Sequence, residues 1–323
     1  MRLSAPNLKA VALLLIVGQA TVLYGFTVRV MTYNSWQMGD NVSNGANKTV
    51  EMIKAVNPDV LLIQEITNES AFQALLNQLG PPFQGMISRA QPAYPNTGIV
   101  SRFQIVDYSA NLFYGFHAKV QVAGVSGVMN LSVWSVHFER SSYGPYAACN
   151  KWATDTSQLM AGEVGRLQNL QYYVNLQQFK NALANYLDEP MILGGTLNSP
   201  SHMDWVKSTI ANHCGWEYLW PLTRILTEIG FIDSFRSIHP DPLKKPGNTW
   251  SSVHKFSGPD FGWTVPEPQD RVDYIFYKGT RITPVHSEAY EGEKPIRPAP
   301  HHRDNHWPSD HKAVVTEFGL PLD

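Results

Sequence analysis

The sequence predicts an α/β protein built around one large core, and three observations predict it. Short apolar runs alternate with stretches at helical spacing along most of the chain. No Gly/Ser-rich or charge-rich linker interrupts the middle. The composition, 43% hydrophobic and 16% charged over 323 residues, is rich in core-forming side chains where about 25% charged is usual. The 25 Lys+Arg and 27 Asp+Glu leave a formal net charge of −2, which excludes a disordered tail protein and a basic, polyanion-coating one.

The N-terminus reads as a targeting segment. Arg2 and Lys9 precede the apolar run Ala10 to Val17, and small or polar residues follow at Gly18, Gln19 and Ala20. Even extended to Leu23 the run holds about 14 residues, short of the ~20 a membrane-spanning helix needs. We therefore expect a cleaved signal peptide over 1–25, cut after Ala20 or Gly25, and a single domain over 26–323. Secretion agrees with two further features. Cys149 and Cys214 form an even pair, open to one disulfide in an oxidising compartment or to two buried thiols. N-x-S/T sequons begin at Asn41, Asn47, Asn68 and Asn130, as expected of a glycoprotein.

Val28, Val30 and Thr32 alternate with Arg29, Met31 and Tyr33, a strand pattern ending at Asn34. Helical spacing at Val50, Ile53 and Val56 is stopped by Asn57-Pro58. Asp59 to Glu65 reads as a buried strand with Gln64 and Glu65 at its end, so this β-α-β opening brings Asn34 and Glu65 to neighbouring strand ends. Asn68 to Leu79 reads as a helix and Gly98 to Arg102 as a strand; residues 104–124 and 127–138 read as paired strands about a Gly124-containing turn, ending at His137. Ser157 to Leu187 is the longest helical signal. Met191 to Gly195 is a buried strand, and Ser199-Pro200 offers the start of a short helix through His202 and Trp205. Strands follow over Val272–Tyr277, Ile282–Tyr290 and Lys312–Phe318, while 239–269 and 291–309 read as long loops of the kind that carry function.

Polar residues interrupt the apolar runs at Asn34, Gln64-Glu65, His137, Thr196-Leu197-Asn198, Asp270 to Asp273 and Ser309-Asp310-His311. In a sheet-based fold such positions converge on one rim. Carboxylates and an amide oxygen suit a hard divalent cation, and His and Asn donate hydrogen bonds to phosphate oxygens. Chemistry at phosphorus asks for this mixture.

In order and spacing, MTYN (31–34), LIQE (62–65), VHFE (136–139), GGTLNSP (194–200), DRVDYIF (270–276) and SDH (309–311) resemble the endonuclease/exonuclease/phosphatase superfamily across nearly all of 27–318. The resemblance implies a four-layer α/β sandwich, two packed mixed β-sheets flanked by helices, with a divalent-metal phosphoesterase site, Mg²⁺ or Mn²⁺, at one edge. It implies Asn34, Glu65 and Asp310 at the metal, Glu65 as direct ligand. Asp273 would orient and charge-stabilise His311 against the phosphoryl oxygens, His137 would donate to the transition state, and Asn198 would bind the scissile phosphate. One position departs from the pattern: Thr196 stands where the superfamily has the Asp that orients and deprotonates the attacking water. A hydroxyl holds water but does not take its proton near neutral pH, and general acid-base groups contribute about 10²–10⁴-fold. The chain is then a weakened phosphoesterase borrowing a base from His202 or Asp204, a pseudoenzyme that binds a phosphorylated ligand, or a chain changed to trap substrate.

His301, His302 and His306 precede the SDH triplet; they read as a zinc-binding cluster or as an active-site loop whose Arg303 assists a substrate anion. The loop Phe256 to Pro268 carries Phe256, Phe261 and Trp263, which read as a substrate wall, a membrane-touching tip or packing against the sandwich. Tyr143 to Cys149 reads as a turn tethered toward Cys214. The expected function is a secreted phosphodiesterase or phosphomonoesterase using in-line attack of water. Its substrate would be a nucleotide, phospholipid or small soluble ester, without tight non-specific nucleic-acid binding and without a transmembrane segment.

Overall fold

β1 (Tyr24–Asn34) turns Val28 and Val30 toward one hydrophobic cluster and Met31 and Tyr33 toward another. A strand covered on both faces in this way marks a layered interior rather than a surface sheet. The computed structural model describes residues 24–124, 127–258, 262 and 264–321. The apolar N-terminal run read as a signal peptide, the turn tip at 125–126, and Phe261 and Trp263 lie outside the described residues.

α1 (Gly45–Val56) ends where Asn57 takes a left-handed conformation and returns its N–H to the Ile53 carbonyl, the stop that Asn57-Pro58 predicts. β2 (Val60–Ile66) pairs in parallel with β1. α2 (Glu69–Leu79) starts on the Asn68 side chain, which accepts from Ala71 N–H. β3 (Gln84–Ile87) and β4 (Asn96–Ser101) follow, then β5 (Gln104–Ser109), β6 (Gly115–Gly124) and β7 (Gly127–His137). The second half runs α3 (Gly144–Cys149), α4 (Thr156–Asn175), α5 (Gln177–Asn185), β8 (Met191–Thr196), α6 (Pro221–Glu228), β9 (Ile232–Asp233), α7 (Ser234–Ile238), β10 (Asp273–Lys278), β11 (Thr283–Tyr290) and β12 (Ala313–Pro321).

Two six-stranded mixed sheets result, ordered β11-β12-β1-β2-β4-β3 and β5-β6-β7-β8-β10-β9. Between them sits a dry core to which Val30, Leu62 and Ile99 contribute from the first sheet and Phe116, Val133, Ile192 and Ile275 from the second. Each such side chain contributes about 1.5–3 kcal/mol on leaving water. The first sheet's outer face is covered by Val50, Ile53, Phe72 and Leu75 of α1 and α2. The second is covered by Leu170, Tyr173, Phe179, Leu222 and Leu226 of α4, α5 and α6. This is the four-layer α/β sandwich.

Several elements differ from the sequence reading. Residues 104–124 form two strands rather than one, because the chain turns back between Ser109 and Gly115 and β5 pairs with β6. The long helix breaks at Leu176, whose extended backbone (ψ 133°) ends α4 and precedes α5. No helix forms from Ser199 to Trp205; instead the side chain of Ser201 accepts from Met203 N–H, a local competitor to helical bonding, and a short 3-10 turn follows at Lys207–Asn212. The segment read as a turn before Cys149 is α3, and Cys149 is disulfide-bonded to Cys214. Among the described residues no helix is long and apolar enough to cross a membrane.

Candidate active site

The polar residues of the sequence motifs meet at one rim because of strand register. Asn34 at the end of β1 lies beside Gln64 of β2, and His137 at the end of β7 lies beside Thr196 of β8. Antiparallel pairing then sets Asp273, the first residue of β10, against Thr196. The two sheets are joined just beneath: Thr32 donates to Gln64 Oε1 at 3.2 Å, and Gln64 Nε2 donates to Ser135 Oγ at 3.1 Å. The glycine pair at the end of β8 is also geometric. Gly195 has φ +144°, and a Cβ there would sit 1.8 Å from the Val136 carbonyl oxygen, so only glycine lets β8 pass β7 this closely.

Left-handed backbone positions aim the side chains of the rim. Glu65 has φ 62°, at a register shift between Gln64 and Ile66 in the β2–β4 pairing, and Trp36, Gln37, Met38 and Asn198 are also left-handed. Such conformations cost on the order of 1–3 kcal/mol each and persist where surrounding structure imposes them. The turn after Asn34 lets Gln37 N–H donate to Glu65 Oε2 at 3.1 Å, while Asn34 Nδ2 donates to Glu65 Oε1 at 3.2 Å. Asn34 spends its own Oδ1 on Trp36 N–H at 3.0 Å; in this arrangement it orients Glu65 and has its oxygen engaged. Ser309 Oγ donates to the Asn34 carbonyl and accepts from His311 N–H, which joins the C-terminal motif to the first strand.

Asp310 is buried, and its Oδ1 has no hydrogen-bond partner among the described residues, while Oδ2 lies 3.5 Å from His254 Nε2. Burial and the negative charge of Asp310 raise the Glu65 carboxyl above its ordinary value, against the opposing pull of His311, Asn34 and Gln37. Glu65 and Asp310 line the same cavity and repel one another, and the Asp310 Oδ1 is left without a partner, a donor set that fits a hard divalent cation completed by water and substrate oxygens. No group of three or more His, Cys, Asp or Glu that could hold a metal occurs among the described residues, so a cation here would rest on this pair, and the His301-His302-His306 stretch does not assemble a zinc site. His302 instead packs against Trp36, ring centres 5.3 Å apart.

The two histidines are polarised in opposite directions. Burial opposes a charge on His311, but Asp273 outweighs it by charge and by a 2.9 Å hydrogen bond to Nδ1, with Asp310 and Glu65 adding, and the ring is lifted to about 9. Burial, with the positive His311 next, pushes His137 down to about 4. Its Nδ1 is 2.8 Å from Asn96 Oδ1, so the neutral ring carries its proton there and Nε2 is left as an acceptor. A pair driven apart in this way marks a donor and an acceptor.

Thr196 is fully buried. Its hydroxyl donates to Asp273 Oδ1 at 2.7 Å and accepts from Asn34 Nδ2 at 3.3 Å, so its single proton is used inside the protein. Asn198 lines the cavity with one amide hydrogen given to the Phe138 carbonyl at 2.9 Å, which leaves the other N–H for an anion. His202 and Asp204 do not supply a base: His202 is held by Thr223, and Asp204 is buried in ion pairs with Arg236 and Arg271. Arg303 is exposed on the 3-10 turn His301–Asp304 and is not among the lining residues; Arg140 is. The cavity, about 850 Å³, gathers Asn34, Glu65, His137, Asn198, Asp310 and His311. Asn96, Arg140 and Trp36 were missed as site residues by the sequence reading: Asn96 opens β4, and Trp36 and Arg140 lie in the connections after β1 and β7, so none carries a signal of its own.

Residues 31–311 match the family model described as the Endonuclease/Exonuclease/phosphatase family. The chain belongs to that family. It is 40% identical over 293 residues to the uncharacterized protein F14F9.5 of Caenorhabditis elegans, covering 90% of this chain and 91% of that one. Among solved structures, truncated Caenorhabditis elegans TDP2 aligns with a TM-score of 0.56 at 17% identity, covering 92% of this chain and all of that one (100%). D. rerio TDP2 complexed with a single-strand DNA product aligns at 0.53 and 18% identity, covering 91% and 99%. The family protein from Beutenbergia cavernae aligns at 0.53 and 16%, covering 91% and 72%. At these identities the structural matches establish the fold.

Proposed function

We propose that this family member is a phosphoesterase working with Mg²⁺ or Mn²⁺, slowed by Thr196. The observation that carries the reading is the buried, unsatisfied Asp310 oxygen on the same cavity as Glu65 and as His311, whose Nδ1 bonds Asp273. When bound there, the cation supplies neutralisation of charge on the phosphate oxygens. Glu65 and Asp310 hold it, Asn34 orients Glu65, and the free N–H of Asn198 with His311 binds the phosphoryl oxygens. Water attacks phosphorus in line: its oxygen bonds to phosphorus, the ester P–O bond breaks on the opposite side, the water's proton passes to His137 Nε2, the departing oxygen takes a proton from solvent, and His137 then releases its proton to solvent. His137 thereby stands in for the carboxylate that Thr196 replaces. A ring held near 4 is a weak base, which agrees with a reduced rate.

Substrates remain the family's phosphate esters: nucleotides, phospholipids or small soluble esters, the first kept in view by the DNA product in D. rerio TDP2. Export from the cytoplasm is part of the proposal, supported by the apolar N-terminal run, the sequons and the Cys149–Cys214 bond. One observation favours the second reading, a binding protein without turnover: the Thr196 hydroxyl proton is given to Asp273, and Thr196 is not among the residues that line the cavity.

Hydrolysis of bis-p-nitrophenyl phosphate and a phosphomonoester panel in Mg²⁺ decides between them. The chain should show metal-dependent turnover that falls about 10²-fold or more in His137→Ala and rises at least about 10-fold in Thr196→Asp. If neither the chain nor Thr196→Asp exceeds the EDTA blank, the phosphoesterase reading is wrong.

A further inference from the structure

A second cavity of about 580 Å³ opens beside the first. The two share Gln37, Glu65, His137 and Arg140, so they are arms of one cleft that meet at Glu65 and His137, with Asn198 and His311 on the first arm beside the junction. The first arm is walled by Trp36, Tyr143, Tyr146, Trp152 and Trp250. Three of these rings turn polar atoms into the protein behind them: Tyr143 donates to Asp270, and Tyr146 and Trp250 both donate to Glu267. What they offer the cleft is ring surface. The second arm carries Tyr94, Phe113 and Tyr114, which are 37%, 49% and 45% exposed, beside the polar Asn96.

Charge narrows what such a cleft accepts. Among the described residues that line either arm, Arg140 is the sole Lys or Arg, whereas Glu65, Glu139 and Asp310 are acidic. A nucleic acid strand presents a phosphate at every nucleotide and is held by many cationic contacts. This cleft has charge partners for one phosphate, at the junction. A phosphomonoester has one substituent and would leave an arm filled with water. Two arms diverging from one phosphate position suit a phosphorus with two substituents, and the aromatic wall suits an uncharged one, through burial of apolar area and ring stacking.

Resting on the phosphoesterase reading above, we propose that the ligand is a phosphodiester carrying a single negative charge. One uncharged apolar substituent lies along the Trp152 wall, and the other lies between Tyr94 and Tyr114. Arg140, on the rim of both arms, faces the phosphate between them. Specificity is then set by the α3–α4 wall and by the β5–β6 connection, which are separate from the residues that hold the cation.

Isothermal titration with unactivated esters, each confirmed intact by chromatography at the end of the run, tests this without relying on turnover. Diphenyl phosphate, phenyl phosphate and tetrathymidylate are titrated into the full chain in Mg²⁺. Diphenyl phosphate should bind at least 10-fold more tightly than either of the others. Trp152→Ala and Tyr114→Ala, both at exposed positions and checked for folding by circular dichroism, should each weaken the diester at least five-fold more than the monoester. Phenyl phosphate binding as tightly as diphenyl phosphate would overturn the proposal. So would tighter binding of tetrathymidylate, no binding of the diester, or diester affinity unchanged in both variants. A separate titration in EDTA addresses the phosphoesterase reading: diester preference that persists with no effect of the metal would remove the cation site and leave the two-armed cleft standing.

Discussion

At Thr196 a single side chain changes what its neighbours can do. Its hydroxyl and His311 occupy the two oxygens of Asp273, so Asp273 is held between two donors and His311 stays charged. Asp273→Asn removes the charge that lifts His311, and the ring should titrate well below its present value of about 9; proton NMR of the ring reads this directly, and an unchanged midpoint would mean that Asp273 is not the cause. Thr196→Asp carries a cost besides its expected gain in rate. A second carboxylate would stand where the hydroxyl now lies 2.7 Å from Asp273, and like charges at that range do not both ionise without penalty. Urea unfolding of the metal-free protein should show a loss on the order of 1–3 kcal/mol, whereas a gain in stability would show that Asp273 does not need its hydroxyl donor. The motif residues Asn34, Glu65, His137, Asn198, Asp273 and His311 were legible because each sits at or beside a strand end. The pairing of His137 with Asn96 was not, since it depends on where β4 begins beside β7.

Among the elements, the strand-turn at Gly195 and the disulfide carry the site. Replacing Gly195 with Ala would bring a methyl against the Val136 carbonyl and should leave little folded protein, by differential scanning calorimetry, where Gly258→Ala, with open space around it and no left-handed backbone, retains a cooperative transition. The Cys149–Cys214 bond closes 65 residues and ties α3, with its cavity-lining Tyr146 and Ala147, to the segment after Lys207–Asn212. Loop entropy for that length gives up to about 4 kcal/mol. Alkylation should therefore add mass only after reduction, and the reduced protein should unfold at a lower temperature; alkylation without reduction would show that the thiols are free. Strands buried on two faces were readable from apolar runs alone. The breaks at residues 110–114 and at Leu176, and the short α3 and α7, were not. They are set by pairing and packing between distant segments, to which local periodicity is blind.

For the whole molecule, the near-neutral charge that excluded a polyanion-coating protein is compatible with a phosphate ligand, because attraction is concentrated at one rim between two sheets. The interior also makes stability respond to acid. Burial pushes His117, stacked on Trp134 at 4.0 Å, down to about 4, as it does His137. A folded-state value below the ordinary 6.5 means that the unfolded chain binds protons first. The associated stability is therefore complete above about 6.5 and is lost as pH falls toward 4, on the order of 3 kcal/mol per ring. His117→Phe keeps the stacking and should flatten the acid limb of a stability–pH curve; an unaltered limb would place the effect elsewhere. The central claim is that Glu65 and Asp310 form a cation site at this rim. Calorimetric titration of the chain with Mn²⁺ should give one ion per chain, with affinity reduced at least 10-fold in Glu65→Gln and far less in Thr196→Ala. Equal effects of the two substitutions, or no heat of binding to the unsubstituted chain, would contradict it.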